Sequence, residues 1–385
     1  MGTVRIGVIG VGGMGGSHAR DVRKNVKGAT LAGVCDAVKE TADRVATELG
    51  CKAWTDPEAF IASGEIDAVI IATPHYAHTT IGVSALSRGL HVLVEKPISV
   101  HKADCQRLIA SHKGGSQVFA AMFQMRTIPR YMKLKQLVDG GALGELRRMS
   151  WIITNWFRTE AYYRSGGWRA TWRGEGGGVL LNQCPHNLDL LQWICGMPRT
   201  VRAFCRFGKW HDIEVEDDVT AYMLFANGAS GVFVTTTGEA PGTNRLELCG
   251  ENGKVVVEGD AIRFTRNEVP MSQFCRTSKQ SFAAPEVWDI EVPARSGGGQ
   301  HQIIIQNFID AIAGGAALIA PAAEGMNSVE LANAMLFSSL TNQTLELPLN
   351  GAAFEQELAK LVRNSKFHKK TGTGAVSDIS ASFNK

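Results

Sequence analysis

The 385-residue chain has no C-x-x-C pair: its eight cysteines (35, 51, 105, 184, 195, 205, 249 and 275) are scattered, several of them inside apolar runs. That pattern argues against a zinc framework or a disulfide scaffold, so no metal is expected and the thiols read as buried groups in a reducing compartment. No apolar stretch approaches the roughly 20 residues that cross a bilayer, so no membrane partner is expected. The first apolar strand begins within four residues of Met1, which leaves no room for a signal peptide, and a cytoplasmic protein is expected. Charge of one sign is also scarce: the net charge is +3, and no basic run interleaves with aromatics, which argues against nucleic acid. The densest basic cluster, KFHKK at 366–370, reads as part of a solvated tail. Internal repeats and low-complexity segments are absent. What remains, 44% hydrophobic and 20% charged, is an ordinary globular composition on a chain long enough for two domains.

Glycine, by contrast, is concentrated. The stretch GVIGVGGMGG (7–16) follows the apolar run from Val4 and spaces Gly10-x-Gly12-x-x-Gly15. So bare a backbone suits a tight turn out of a strand whose main chain cradles a pyrophosphate at a helix N-terminus. A strand over Val4–Ile9, a helix over Met14–Asn25 and a second strand, LAGVCD, complete the pattern. That second strand ends at Asp36, 21 residues after Gly15, where a carboxylate can accept both hydroxyls of an adenosine ribose. The same carboxylate repels a 2′-phosphate, and Ala37 offers no cation to neutralise one, so NAD is expected over NADP; Lys39 is the only cation nearby.

Up to about residue 125 the apolar runs VRIGVIG, LAGVCD, AVIIATP, HVLVEKP and QVFAAMF alternate with amphipathic stretches such as Thr79–Arg88. Alternation of this kind predicts a parallel sheet covered on both faces, an N-terminal Rossmann domain over 1–125. The grammar then changes. After a helix over Tyr131–Val138 and a turn at Gly141–Gly144, two segments alternate apolar and polar residues around Asn227-Gly228 and Asn252-Gly253, which are hairpin signals. Helices are expected over Gln302–Ala313 and Ser328–Thr341. The fold class is therefore α/β: the Rossmann domain, then an α/β domain over 126–364 with a large open, mostly antiparallel sheet, then a polar tail over 365–385. An open sheet face needs a cover, so self-association as a homodimer or homotetramer is expected.

Three stretches carry candidate chemistry. VEKP ends a strand of the first domain at Glu95-Lys96-Pro97, which aims Lys96 into the crevice beyond the strand ends; a surface lysine is the alternative. GGGVLLNQCPHNLDLLQW (176–193) opens a helical pattern carrying Asn182, His186 and Asp189. Asn182 and His186, four apart, share a helical face there, and a histidine in that place can take a hydroxyl proton, or can simply be a satisfied core residue. Asp189 is expected to orient the histidine or to cap structure. In NWFRTEAYYRSGGWRATWR (155–173), Trp156, Tyr163, Trp168 and Trp172 offer flat faces and Arg158, Arg164, Arg169 and Arg173 offer donors, a mixture that suits either a hydroxyl-rich ring or an interface. Glu160 and Glu175 offset part of that charge.

The glycine turn, Asp36, ATPHYAH (72–78), GLHVLVEKP (89–97) and GGGVLLNQCPHNLDLLQWICG (176–196) together resemble the glucose-fructose oxidoreductase / inositol dehydrogenase / rhizopine-catabolism family, Gfo/Idh/MocA, from residue 4 to about 347. The resemblance implies an NAD-dependent oxidoreductase acting on a ring hydroxyl of a sugar, glycoside or cyclic polyol. It makes Lys96 and His186 the catalytic pair, with Asn182 orienting the ring. Cofactor contacts are expected from Gly10, Gly12, Gly13, Met14, Gly15 and Asp36, from Thr73, Pro74, Glu95 and Gln124 toward the nicotinamide, and from His78 and Lys96. The substrate set is Lys96, Asn155, Arg158, Tyr163, Trp168, Arg169, Asn182 and His186. Many members carry Asp where this chain has Asn182, and an amide cannot carry charge. Members with Asn-Gln here resemble sugar 3-dehydrogenases more than inositol dehydrogenases. Two further readings use the same residues differently: a glycosidase that works through a 3-keto intermediate on bound NAD, and a non-catalytic NAD-binding sensor, which would tend to lose the lysine or the histidine.

Overall fold

The computed structural model describes residues 2–370 and contains two sheets. The first is fully parallel: β1 (Val4–Ile9), β2 (Ala29–Cys35), β3 (Lys52–Trp54), β4 (Ala68–Ile71), β5 (His91–Val94) and β6 (Phe119–Ala121) lie in the order β3-β2-β1-β4-β5-β6. Val4, Ile6 and Val8 enter one apolar core while Val69, Ile71 and Val92 enter another, the double-sided burial that a parallel sheet requires. Strand order reverses between β1 and β4, so a crevice opens beyond the carboxyl ends there. Gly10, Thr73 and Glu95-Lys96 all follow directly on strands that end at that edge. The short edge strand β3 had no sequence signal.

The second sheet has nine strands: β7 (Leu146–Ile153), β8 (Thr200–Phe207), β9 (Glu216–Leu224), β10 (Ser230–Thr236), β11 (Asn244–Gly250), β12 (Gly253–Glu258), β13 (Ala261–Asn267), β14 (Val287–Glu291) and β15 (Leu345–Glu346). Their order is β14-β13-β12-β11-β7-β10-β9-β8-β15, antiparallel except for the β7–β10 pair. The Asn227-Gly228 and Asn252-Gly253 turns join β9 to β10 and β11 to β12, as predicted. One face, with Trp151, Phe233 and Val219, packs on helices Pro185–Cys195 and Ala322–Thr341. On the other, Phe204 is 60% and Tyr222 46% exposed.

The chain order does not divide as simply as the domains do. Helix His301–Gly314, placed by sequence in the second domain, inserts Ile304, Ile305, Phe308 and Ile309 into the Rossmann core beside Val4 and Ile6. The predicted helix from Ser328 begins earlier, at Ala322.

Arg126 locks the two units together. It sits in the turn Gln124–Thr127 after β6, is 2% exposed, and forks onto Asp189 of the Pro185–Cys195 helix with contacts of 2.8 and 2.6 Å. Its remaining nitrogen reaches Glu324 Oε2 at 2.5 Å and the Ile319 carbonyl at 3.2 Å. Removing one partner of a buried pair leaves a desolvated charge, so Asp189→Leu should cost about 3–5 kcal/mol in urea unfolding, and adding Arg126→Met should recover most of it. A single variant within about 0.5 kcal/mol of wild type would show that the pair does not hold the units together.

Candidate active site

The glycine turn is shaped by close approach. Gly10 has φ +84°, and a Cβ at Gly15 would lie 1.8 Å from the Gly10 carbonyl oxygen, so neither position admits a side chain. A Cβ at Gly12 would meet nothing within 4 Å, which leaves the turn open on its outer side above the N-terminus of helix Gly13–Lys24. The Asp36 carboxylate accepts from the Val11 N–H at 2.9 Å and the Val38 N–H at 3.0 Å, one to each oxygen. Each oxygen keeps a further lone pair for a ribose hydroxyl. Lys39, the nearby cation, is paired with Asp43. Two polar atoms at the same sheet edge, Thr73 Oγ1 and Gln124 Oε1, are buried without a partner. An open glycine cradle, an anchored carboxylate and these two orphaned groups fit a dinucleotide.

The loop after β5 is held rigidly. His18 Nε2 lies 2.7 Å from Glu95 Oε1, and the Lys96 N–H donates to Glu95 Oε2 at 3.0 Å. Burial alone would push the Glu95 carboxyl up, but the His18 hydrogen bond and the charges of His18, His301 and Lys96 hold it well below the usual carboxylate range. Glu95 is thus spent on anchoring the loop. His78, expected among the cofactor contacts, has both ring nitrogens 2.8 Å from carbonyls, those of Pro97 and Thr73, and clamps these two loops to each other. The Lys96 ammonium donates to the Asn182 main-chain carbonyl at 2.8 Å. Burial lowers its proton affinity; Glu95 and Glu175 work against this, while Arg169 and Arg158 add to it.

The expected single helix through Asn182 and His186 is broken. Val179–Asn182 forms one short turn and Pro185–Cys195 a second helix, because Pro185 has no N–H and can only stand in a first turn. The triple glycine answers to crowding: a Cβ at Gly178 would lie 2.0 Å from the Glu216 carbonyl oxygen. The Glu216 carboxyl, pushed up to about 7 by burial, accepts from the N–H groups of Gly178 and Leu180. Both halves of the broken helix still border Lys96. His186 is 2% exposed, its ring edge-on to Phe123, and the Gln124 side-chain amide lies 3.3 Å from His186 Nε2. His186 Nδ1 is buried without a partner, and the Gln124 amide can serve either tautomer, through its nitrogen or through its unpartnered Oε1. Burial, with the Lys96 charge, holds this imidazole well below its ordinary range and therefore neutral. Asp189 does not orient the histidine, as sequence suggested; it is committed to Arg126 and Gln192.

The aromatic segment separates into two sets. Tyr163 and Trp172 are 4% and 6% exposed and belong to the core, Tyr163 with its hydroxyl on Thr237 at 2.7 Å, so neither is available to a ligand. Tyr162 takes the expected place: its ring lies between the guanidiniums of Arg158 and Arg169, 5.1 and 4.9 Å from its centroid, and its hydroxyl meets the Asn182 amide oxygen at 3.3 Å. Which of two adjacent tyrosines faces the site depends on the five-residue helix Glu160–Arg164, too short to show a period in sequence. Trp168 stacks under Arg169 and against His75 of the first domain. Asn155 buries its Oδ1 without a partner. Glu175, read only as an offsetting charge, is 2% exposed and grips the Asn182 amide. The tail is not solvated throughout: Lys369 donates to the Tyr163 and Arg169 carbonyls, and Lys370 to Asp212 at 2.8 Å. Residues 371–385 of the predicted tail lie outside the described residues.

Comparison with known proteins shows the family of the chain. Residues 4–123 match the oxidoreductase family with an NAD-binding Rossmann fold and residues 131–256 the GFO/IDH/MocA C-terminal domain. The chain belongs to the Gfo/Idh/MocA oxidoreductase family, and its first domain is the NAD-binding Rossmann fold of that family. It is 36% identical over 143 residues to inositol 2-dehydrogenase 4 of Saccharopolyspora erythraea, a match covering 37% of this chain and 42% of that protein. To scyllo-inositol 2-dehydrogenase (NAD(+)) of Bacillus subtilis it is 28% identical, covering 66% and 73%. Among solved structures, the Bordetella pertussis WlbA dehydrogenase with NADH and UDP-GlcNAcA superposes with a TM-score of 0.76 at 23% identity, covering 90% of this chain and 100% of that one. Levoglucosan dehydrogenase with NADH and levoglucosan superposes at 0.75 and 21%, with the same coverage.

With Asp36 anchored by two amides and Lys39 occupied by Asp43, NAD should bind at least tenfold more tightly than NADP, a gap of about 1.4 kcal/mol, in a fluorescence titration. Asp36→Ala with Ala37→Arg should narrow it; equal affinities in the wild type would refute the assignment of Asp36.

Proposed function

We propose that the protein oxidises a ring hydroxyl of an unphosphorylated sugar, glycoside or cyclic polyol, with Lys96 and His186 as the catalytic pair. The observation that carries this reading is a buried, neutral histidine within electrostatic reach of a partly buried lysine at the carboxyl edge of the NAD-binding sheet. Bound NAD supplies the hydride acceptor. His186 Nε2 takes the hydroxyl proton as the carbonyl forms, displacing the Gln124 contact, and the Lys96 ammonium hydrogen-bonds the same oxygen and stabilises its developing negative charge. Tyr162, Trp168, Arg169 and Asn155 offer the apolar faces and donors that a hydroxyl-rich ring uses. Relatives named for inositols and levoglucosan support a cyclic, hydroxyl-bearing substrate.

Lys96→Ala and His186→Ala should each lower kcat by about 10²-fold or more with NAD affinity little changed. The substrate for that assay comes from an NADH-absorbance screen of monosaccharides, glycosides, inositols, sugar acids and UDP-sugars. Because burial depresses His186, kcat/KM should hold as pH falls through the ordinary histidine range; because the ammonium form of Lys96 is needed, it should fall at a pH below the ordinary lysine range. Near wild-type turnover in either variant overturns the assignment, and aglycone release without NADH accumulation assigns the chemistry to the glycosidase reading.

The exposed sheet face, which carries Phe204, Tyr222, Leu224 and Ile152 across the neighbouring strands β8-β9-β10-β7, is proposed as the surface of self-association. Light scattering should give a dimer or tetramer, and Phe204→Glu with Tyr222→Glu should reduce it to monomer; a monomeric wild type would refute this.

A further inference from the structure

Glu175 is an expensive residue to keep. It is 2% exposed, and both of its hydrogen-bond donors are neutral: the Asn182 amide on Oε1 and the Ala170 N–H on Oε2 at 2.6 Å. Ala170 itself is held at φ +54°, a left-handed conformation that costs a residue with a Cβ about 1 kcal/mol or more. Burial raises the proton affinity of Glu175, and Arg169 and Lys369 oppose this through charge alone, with no cation hydrogen-bonded to it among the described residues; a buried carboxylate so placed, served by a strained amide, points to a purpose other than stability.

Its purpose is legible in what it touches. Asn182 is held at both ends, its amide nitrogen on Glu175 and its oxygen near the Tyr162 hydroxyl at 3.3 Å, and its main-chain carbonyl is the acceptor for Lys96 Nζ. The charged and titratable groups that face Lys96 come from every neighbouring element: Glu95 from its own loop, His75 and His78 from the helix after β4, Arg158, Arg169 and Glu175 from the segment before the triple glycine, Cys184 and His186 from the broken helix, and His301 from the helix that returns to the first domain. Only Glu95 and Glu175 among these favour an ammonium, and Glu95 is already committed to His18. We propose that Glu175 is the positioning carboxylate of this site: it grips the Asn182 amide and so fixes the main-chain carbonyl that holds the Lys96 ammonium.

The consequence for turnover rests on the dehydrogenase reading, but the test needs no substrate. Trace acetylation with acetic anhydride across pH, read by mass spectrometry on the Lys96 peptide, reports the fraction of free amine at that side chain. In Glu175→Gln the midpoint should move down by about one pH unit, a tenfold loss of proton affinity. In Glu175→Gln with Asn182→Asp, which exchanges the carboxylate and the amide between the same two positions, it should return to the wild-type value or above. Tryptophan quenching by NAD checks that each variant retains the cofactor side. An unmoved midpoint in the single variant, or a midpoint in the double variant below wild type, overturns the proposal; should the single variant not fold, the double variant alone decides it. Absence of turnover on the sugar panel would count against the dehydrogenase reading and leave this result standing.

Discussion

The buried fork of Arg126 on Asp189 is the constraint on which the site depends. Two contacts join the same two elements: Gln124 meets His186, and two residues further along the turn Arg126 meets Asp189, three residues further along the helix. A single contact would let the helix rotate or slide; two contacts spaced along both elements fix its register. The ion pair thus ties the helix that carries the imidazole to the turn after β6, although neither charge touches the histidine. Glu324 on the third partner extends the lock to the long helix that covers the second sheet.

Around that fixed point the electrostatics are finely divided. Arg158 and Arg169 add their charges to that of Lys96, whose own proton affinity burial lowers, and the two carboxylates that answer them are held in different ways. Glu95 is locked by His18 and its own loop; Glu175 is locked by an amide and a strained backbone N–H. A neutral histidine beside a charged lysine is the outcome, an arrangement in which one group can take a proton while the other stabilises the oxygen that loses it. The segment 158–173 that supplies the arginines is itself pinned by Lys369 from beyond the last helix. That end of the chain is part of the site's framework.

The sequence by itself determined the Rossmann domain, the antiparallel character of the second sheet, and the identity of Asp36, Lys96 and His186 as candidates, because each is carried by a local signal: a glycine spacing, a strand-end position, an Asn-Gly turn. It did not determine which residues would be consumed by structure. His78 clamps two carbonyls, Asp189 serves Arg126, Tyr163 is core and Tyr162 is not, and the helix His301–Gly314, which follows β14 in the chain, returns to the Rossmann core. Most of these are decided by partners far away in sequence: His78 and Pro97 are 19 positions apart, Arg126 and Asp189 63. A pattern of neighbours records the backbone's preferences, whereas the fate of a buried polar group depends on which donors and acceptors the completed fold brings against it, and only the tertiary structure supplies those.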